Sequence, residues 1–223
     1  MTTTSTLYDP SRKSQMGSLV IIPASGGAHQ TIVFQLNPAS LRRRLEPQMV
    51  GGDRQAQSAR VMYAAAPTEI IDVELEIDAT LQISAGPGQP SSGDIRPQLA
   101  ALESLLYPST TQVQTQQALL QSGTLEIGPY LAPTVVFTWG SARAVPVKVT
   151  SYGVTEEAFL ASLAPIRARV TLSMQVLSYS DVSPQDPAYS LFLAYLNAKQ
   201  QQASTGGFSA ASQQLIGVDP NSL

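Results

Sequence analysis

The sequence contains no cysteine and a single histidine, His29, in 223 residues. Disulfides, cysteine nucleophiles, thiolate zinc sites and multi-histidine metal sites are therefore excluded. Charge is also scarce: Asp, Glu, Lys and Arg make up 13% of the chain, about half the ~25% usual for soluble domains. The surface must rely on Gln, Ser and Thr, a composition that suits burial in an assembly. A formal charge of −3 provides no basic field, so nucleic acid is not an expected partner. No apolar run approaches the ~18 residues of a membrane span, and Met1-Thr2-Thr3-Thr4-Ser5-Thr6 lacks the charged start and apolar core of a secretory leader. The expectation is a chain that is cytoplasmic when made, does not insert into a membrane, and leaves a cell only as part of something else. No Gly-rich phosphate loop, nucleophile elbow or HExxH motif is present, so no catalytic residue, cofactor or metal is expected, and the chain is not read as an enzyme.

What the chain does have is clean period-2 alternation. From Arg167 to Val176, Ala168, Val170, Leu172, Met174 and Val176 fall on one side and Arg167, Arg169, Thr171, Ser173 and Gln175 on the other, the pattern of a half-buried strand. Leu177 and Tyr179 reverse the phase, which predicts a bulge near Val176-Leu177. Val145, Val147 and Val149 alternate upstream, and Val135-Val136-Phe137-Thr138-Trp139 runs into a Gly140-Ser141 turn signal, so three consecutive strands make a meander. Pro146 cannot donate to a ladder, which predicts an edge-like or bulged middle strand. Leu19-Val20-Ile21-Ile22 and Thr31 to Leu36, separated by Gly26-Gly27, read as a hairpin. Ile71-Asp72-Val73-Glu74-Leu75-Glu76-Ile77-Asp78 reads as another strand, with four carboxylates on its outer face.

Helical signals are fewer. Asp94 before Ile95-Arg96-Pro97 is placed to cap a helix that Pro108 ends, with Leu99, Leu102 and Leu106 on one stripe. Residues 188–202 have helical spacing, with Leu191, Tyr195 and Ala198 beside Phe192, Leu196 and Lys199. The stretches at 51–59 and 86–93 read as loops, and no element is assigned between Ser109 and Pro133, where Leu125-Glu126-Ile127 lies. The expected organisation is an N-terminal arm over 1–18, a β domain over 19–182, a helix over 183–203 and a flexible or partner-bound tail over 204–223.

Charged residues cluster. Asp72, Glu74, Glu76 and Asp78 lie ~7 Å apart in a row, without the convergent ligands of a Ca²⁺ site. Arg42-Arg43-Arg44, Arg167 and Arg169 form the main positive inventory. Their separation along the chain makes these nine residues the candidate contacts with a second subunit or partner. His29, in a Gly-rich turn, reads as a surface residue, and Phe137 and Trp139 as core or interface aromatics.

Taken in order, Phe34-Gln35-Leu36-Asn37-Pro38-Ala39-Ser40-Leu41, Val73-Glu74-Leu75, Ala100-Ala101-Leu102-Glu103-Ser104-Leu105-Leu106-Tyr107-Pro108, Val135-Val136-Phe137-Thr138-Trp139-Gly140-Ser141, and Arg167-Ala168-Arg169-Val170 leading to Ser178-Tyr179 resemble the contractile injection system tube-like protein family. The resemblance spans about residues 19 to 200. It implies a mainly β fold of two packed antiparallel sheets with a flanking helix. It further implies a homo-hexameric baseplate hub ring that adapts the trimeric, VgrG-like spike to the inner tube protein, initiates the tube and contacts neighbouring hub or baseplate proteins. The LysM module that many members carry at the C-terminus has no counterpart here, so its role does not carry over. The alternative is a monomeric β-sandwich module that binds a ligand in its loops, and an enzyme using the Asp72 to Asp78 carboxylates is a third reading.

Overall fold

The computed structural model describes residues 16–23, 28–38, 40–50, 62–80, 94–123, 128–140 and 143–205. The expected N-terminal arm up to residue 15, the Gly26-Gly27 turn, the loops at 51–59 and 86–93, the Leu125-Glu126-Ile127 run, Ser141 and the tail beyond 205 lie outside the described residues.

The protein is mainly β. Strands β1 (Ser18–Ile22), β2 (Gln30–Val33), β3 (Leu41–Met49), β4 (Tyr63–Asp78), β5 (Thr134–Thr138), β6 (Ala144–Phe159) and β7 (Pro165–Val176) are accompanied by helices α1 (Arg96–Glu103), α2 (Thr110–Gln121) and α3 (Pro187–Thr205). The alternation read from the sequence holds. Ala168, Val170, Leu172, Met174 and Val176 of β7 are buried, as are Ile71, Val73, Leu75 and Ile77 of β4. The β1–β2 hairpin and the β5–β6–β7 meander form as expected. The meander's neighbours come from elsewhere in the same chain, β1 beside β5 and β4 beside β7.

The two packed sheets implied by the resemblance are replaced by one. All seven strands are hydrogen-bonded in the order β2-β1-β5-β6-β7-β4-β3, every pair antiparallel. In a flat sheet β2 and β4 would stand about 24 Å apart, five strand spacings. Yet the Gln35 carboxamide, just past β2, donates to the Asp78 carbonyl at 2.6 Å and accepts from the Asp78 N–H at 2.9 Å. The sheet must therefore curl until its edges meet. Its two edge strands, β2 and β3, are consecutive in the chain, and residues 34–38 lie at the corner between them. Strand β6 makes the opposite bend: Ala144 to Val147 pair with β5, Val147 to Phe159 with β7, and the register shifts between Val149 and Ser151.

Two sequence expectations are refined by local geometry. Strand β7 ends at Val176, so the phase reversal at Leu177 marks the end of a ladder; the register shifts of the β6–β7 ladder lie at Val149/Ser151 and between Glu156 and Phe159 instead. Pro146 is buried in an interior strand. Its carbonyl accepts from Leu177 N–H at 2.9 Å, just past the end of β7, and the bulged alternative holds, since the register of β6 shifts between Val149 and Ser151.

Helix α1 fills the inside of the curl. Ile95, Leu99 and Leu102 join Leu19, Phe34, Phe137, Ile71, Leu75 and Leu172 in one core, and Ile95 N–H donates to the Pro165 carbonyl. The helix is shorter than the Leu99, Leu102, Leu106 stripe predicts, and Leu106 is exposed. Asp94 does not supply the cap, since Ile95 holds that position; its carboxylate instead accepts from Arg96 N–H and grips the Arg96 guanidinium. At the corner, Phe34 lies 6.3 Å from Phe137, which stacks on Trp139 at 6.1 Å. Gly17 is required there because a Cβ would fall 2.7 Å from the Phe34 ring.

The corner generates a stability prediction. Gln35→Leu keeps the side chain's bulk but orphans two backbone groups of Asp78, costing about 2 kcal/mol, or roughly 4–8 °C in Tm. Leu36→Ser, at an exposed neighbouring position, should change Tm by less than about 2 °C. Thermal unfolding followed by circular dichroism measures both, and equal shifts would mean that Gln35 does not hold the corner.

Candidate functional site

The nine charged residues singled out in the sequence divide between two faces of the sheet. On the outer face, β4 and β7 are neighbours with Glu76 opposite Arg169 and Asp78 opposite Arg167. Arg169 pairs with Glu74 at 2.9 Å and Glu157 at 3.4 Å, and Arg167 pairs with Asp78 at 2.8 Å and approaches Glu76 at 4.0 Å. Asp72 accepts from Ser173 Oγ at 2.7 Å and lies opposite Arg42 in the β3–β4 register. Arg44 pairs with Glu46 at 3.2 Å. Acids and arginines that are distant in sequence are thus adjacent in the fold. Arg167 and Arg169 thus offset part of the charge of the row within one subunit. Exposed pairs of this kind are worth at most about 1 kcal/mol each.

Asp78 departs from the rest of its row, being buried rather than solvated. The Thr80 hydroxyl at 2.6 Å and Thr80 N–H at 2.8 Å donate to its carboxylate, as does Arg167. Led by the Thr80 hydroxyl, these donors outweigh burial and hold the Asp78 carboxyl below its ordinary value.

Arg43 points the other way and exposes the feature that the sequence reading missed. In the parity of β4, Glu69 belongs with Ile71, Val73 and Leu75 on the inner side, and it is only 3% exposed. Arg43 reaches it at 2.7 Å, Lys199 at 2.8 Å and the Tyr195 hydroxyl at 2.9 Å. The Lys199 ammonium also lies 4.0 Å from the centre of the Tyr195 ring. Burial would push the Glu69 carboxyl up, but Lys199, Arg43 and Tyr195 together hold it below its ordinary value near 4.5. Burial and then the Glu69 charge push the Tyr195 phenol up. The cluster clamps α3 to β3 and β4, while Ala188, Phe192 and Tyr195 supply the helix's buried stripe. One signal was present in the sequence: an acid on the apolar parity of a strand is a buried acid in need of partners.

Glu69 is saturated by donors, His29 is exposed, and among the described residues no three metal-ligating side chains converge. No described helix is long and apolar enough to cross a membrane. A cavity of about 380 Å³ lies under the corner, lined by Ile32, Phe34, Leu75, Ile77, Gln98 and Leu102. No family model and no curated protein matches the chain.

The clamp predicts a pH dependence of known sign. Because the folded-state pKa of Glu69 is depressed, its stabilisation is complete above the ordinary value and is lost as pH falls through the lowered one. Glu69→Gln should therefore cost about 2–3 kcal/mol at pH 7, less than a fully buried pair because Arg43 and Lys199 are partly solvated. The gap between wild type and variant should shrink steadily below pH 4.5 in urea titrations. A gap of the same size at pH 7 and pH 3.5 would show that the Glu69 charge does not hold the helix.

Proposed function

We propose that the chain is a structural subunit that works by association with copies of itself, forming the hexameric baseplate ring between a trimeric spike and an inner tube that its family resemblance implies. The observation that carries this reading is the β3–β4 ribbon. Residues Tyr63 to Glu69 of β4 pair with β3 alone among the described residues, and a two-stranded ribbon is marginal by itself. Leu45, Met49, Met62 and Tyr63 are nevertheless exposed along it, Tyr63 by 74%. These exposed apolar side chains on the ribbon form a surface suited to burial against a partner. The low charge of the whole chain points the same way. The alternative, a monomeric ligand-binding module, draws its support from the apolar cavity under the corner.

Co-expression with the spike and inner tube proteins of the same particle, followed by negative-stain imaging, separates the two readings. Six-fold rings are expected from the wild type, and none from Met49→Asp/Tyr63→Asp, which should keep a wild-type circular dichroism spectrum. Wild-type chain that stays monomeric in that mixture would contradict the ring.

A further inference from the structure

Two strands of the sheet have long edges that pair with no described strand. The β5 ladder ends at Val147, so from Lys148 to Phe159 strand β6 pairs with β7 alone. Strand β3 is the last of the sheet, and its outer edge from Leu41 to Met49 has no strand beside it among the described residues. An uncovered edge presents a row of unpaired N–H and C=O groups, a template for a further strand.

Edges are guarded against uncontrolled pairing by charge, and here the two guards are opposite in sign. Strand β3 holds Arg42, Arg43 and Arg44 against one acid, Glu46. Residues 151–159 of β6 hold Glu156 and Glu157 and no basic residue. Arg42, Arg44, Glu156 and Glu157 are exposed, whereas Arg43 is engaged by Glu69. Arg44 meets Glu46 at 3.2 Å and Glu157 meets Arg169 at 3.4 Å, but these contacts are solvated and weak. Arg169 has its shorter contact, 2.9 Å, with Glu74.

The faces match as well as the charges. Val154 lies opposite Val170 and Leu45 opposite Glu69, so both stand on the inner side of the sheet, and both are exposed. Arg42 lies opposite Asp72 and Glu157 reaches Arg169, so both stand on the outer side. Glu156, opposite Ala168, adds to the negative potential of its edge. Joining the two edges therefore sets apolar beside apolar and arginine beside glutamate, each on the face where it already belongs. Two β3 edges brought together would oppose arginines, and two β6 edges would oppose glutamates, so like edges reject each other.

We propose that the outer edge of β3 in one copy adds to the distal edge of β6 in a second copy, with Arg42 and Arg44 against Glu156 and Glu157 fixing which edges meet. This rests on the self-association reading and specifies its contact. The two edges are different patches of one subunit, so the contact is head-to-tail: each copy added leaves one edge of each kind open until a ring closes.

Charge reversal in the full-length chain tests the pairing, read by sedimentation velocity with circular dichroism as the check on folding. Arg42→Glu/Arg44→Glu gives a chain with two acidic edges, and Glu156→Lys/Glu157→Lys a chain with two basic edges. Each should keep its Tm within about 2 °C of wild type and, alone, associate about tenfold more weakly or worse. Mixed in equal amounts they should recover wild-type association, because every β3 edge then finds a β6 edge of opposite sign in alternating order. Amide hydrogen exchange on the wild type is a second test that needs no substitution. On assembly, amides within residues 41–46 and 151–159 should exchange about tenfold more slowly or better, while those of interior strand β1 stay as they were. Wild-type association by either variant alone, no recovery in the mixture, or unchanged exchange at both edges of a chain that does associate would overturn this contact and leave the ring reading in place. A wild-type chain that never associates, with or without the spike and tube proteins, would overturn both.

Discussion

Asp78 stands where the ends of one sheet are brought together, and the curl of the molecule depends on it. Its backbone N–H and C=O are both taken by the Gln35 carboxamide, and its carboxylate is taken by Thr80 and Arg167. A primary amide has the same donor and acceptor as a peptide group, so Gln35 makes on β4 the pair of bonds that a neighbouring strand would make. With that junction closed, the space inside has a fixed shape, and α1 fills it with Ile95, Leu99 and Leu102. With it open, Phe34 would lose its place beside Phe137, and the chain leading into β3 would not be aligned to pair Leu41 with Val73.

A second constraint fixes the C-terminal helix. Ala188, Phe192 and Tyr195 bury one stripe of α3, and the single carboxylate of Glu69, held between Arg43 and Lys199, ties the helix to β3 and β4. Buried charge of this kind is weak evidence of net stability and stronger evidence of a specified arrangement. The outer ion pairs around Glu74 and Arg169 differ in kind, being exposed and worth little individually, and they keep β4 and β7 soluble rather than hold them together.

The strands were legible because alternation survives wherever one face is buried. β7 and the Ile71 to Ile77 half of β4 follow it, and the meander and the first hairpin follow from it; β3, whose Arg42-Arg43-Arg44 shows no apolar alternation, was not read as a strand. The single curled sheet was not legible, because closure depends on a side-chain amide meeting a backbone 43 residues away, and no local pattern encodes that distance. Helix α2 escaped notice for the opposite reason: with no buried residue it has no apolar stripe, and only the Ser109 and Gln112 capping box marks its start. For the site, the charged residues were visible in the sequence, but their pairing within the subunit was not. Arg42, Arg43 and Arg44 look equivalent in a row, yet strand alternation sends Arg43 inward to Glu69 and leaves the other two outside. The row from Asp72 to Asp78 looked in need of external cations until β7 was found beside it.

The curled sheet leaves large apolar side chains exposed on the β3–β4 ribbon, which supports the proposal that the chain is one part of an assembly. Most of the described internal polar groups are paired within the subunit, the buried Gln98 Oε1 being an exception, while large apolar side chains such as Tyr63 remain exposed on that ribbon. The most direct measurement is electron microscopy of contractile particles from a strain in which this chain alone is deleted. The ring account predicts particles that lack assembled inner tubes, with intact tubes restored when the wild-type chain is supplied again. Full-length tubes docked on their spikes in the deletion strain would contradict it.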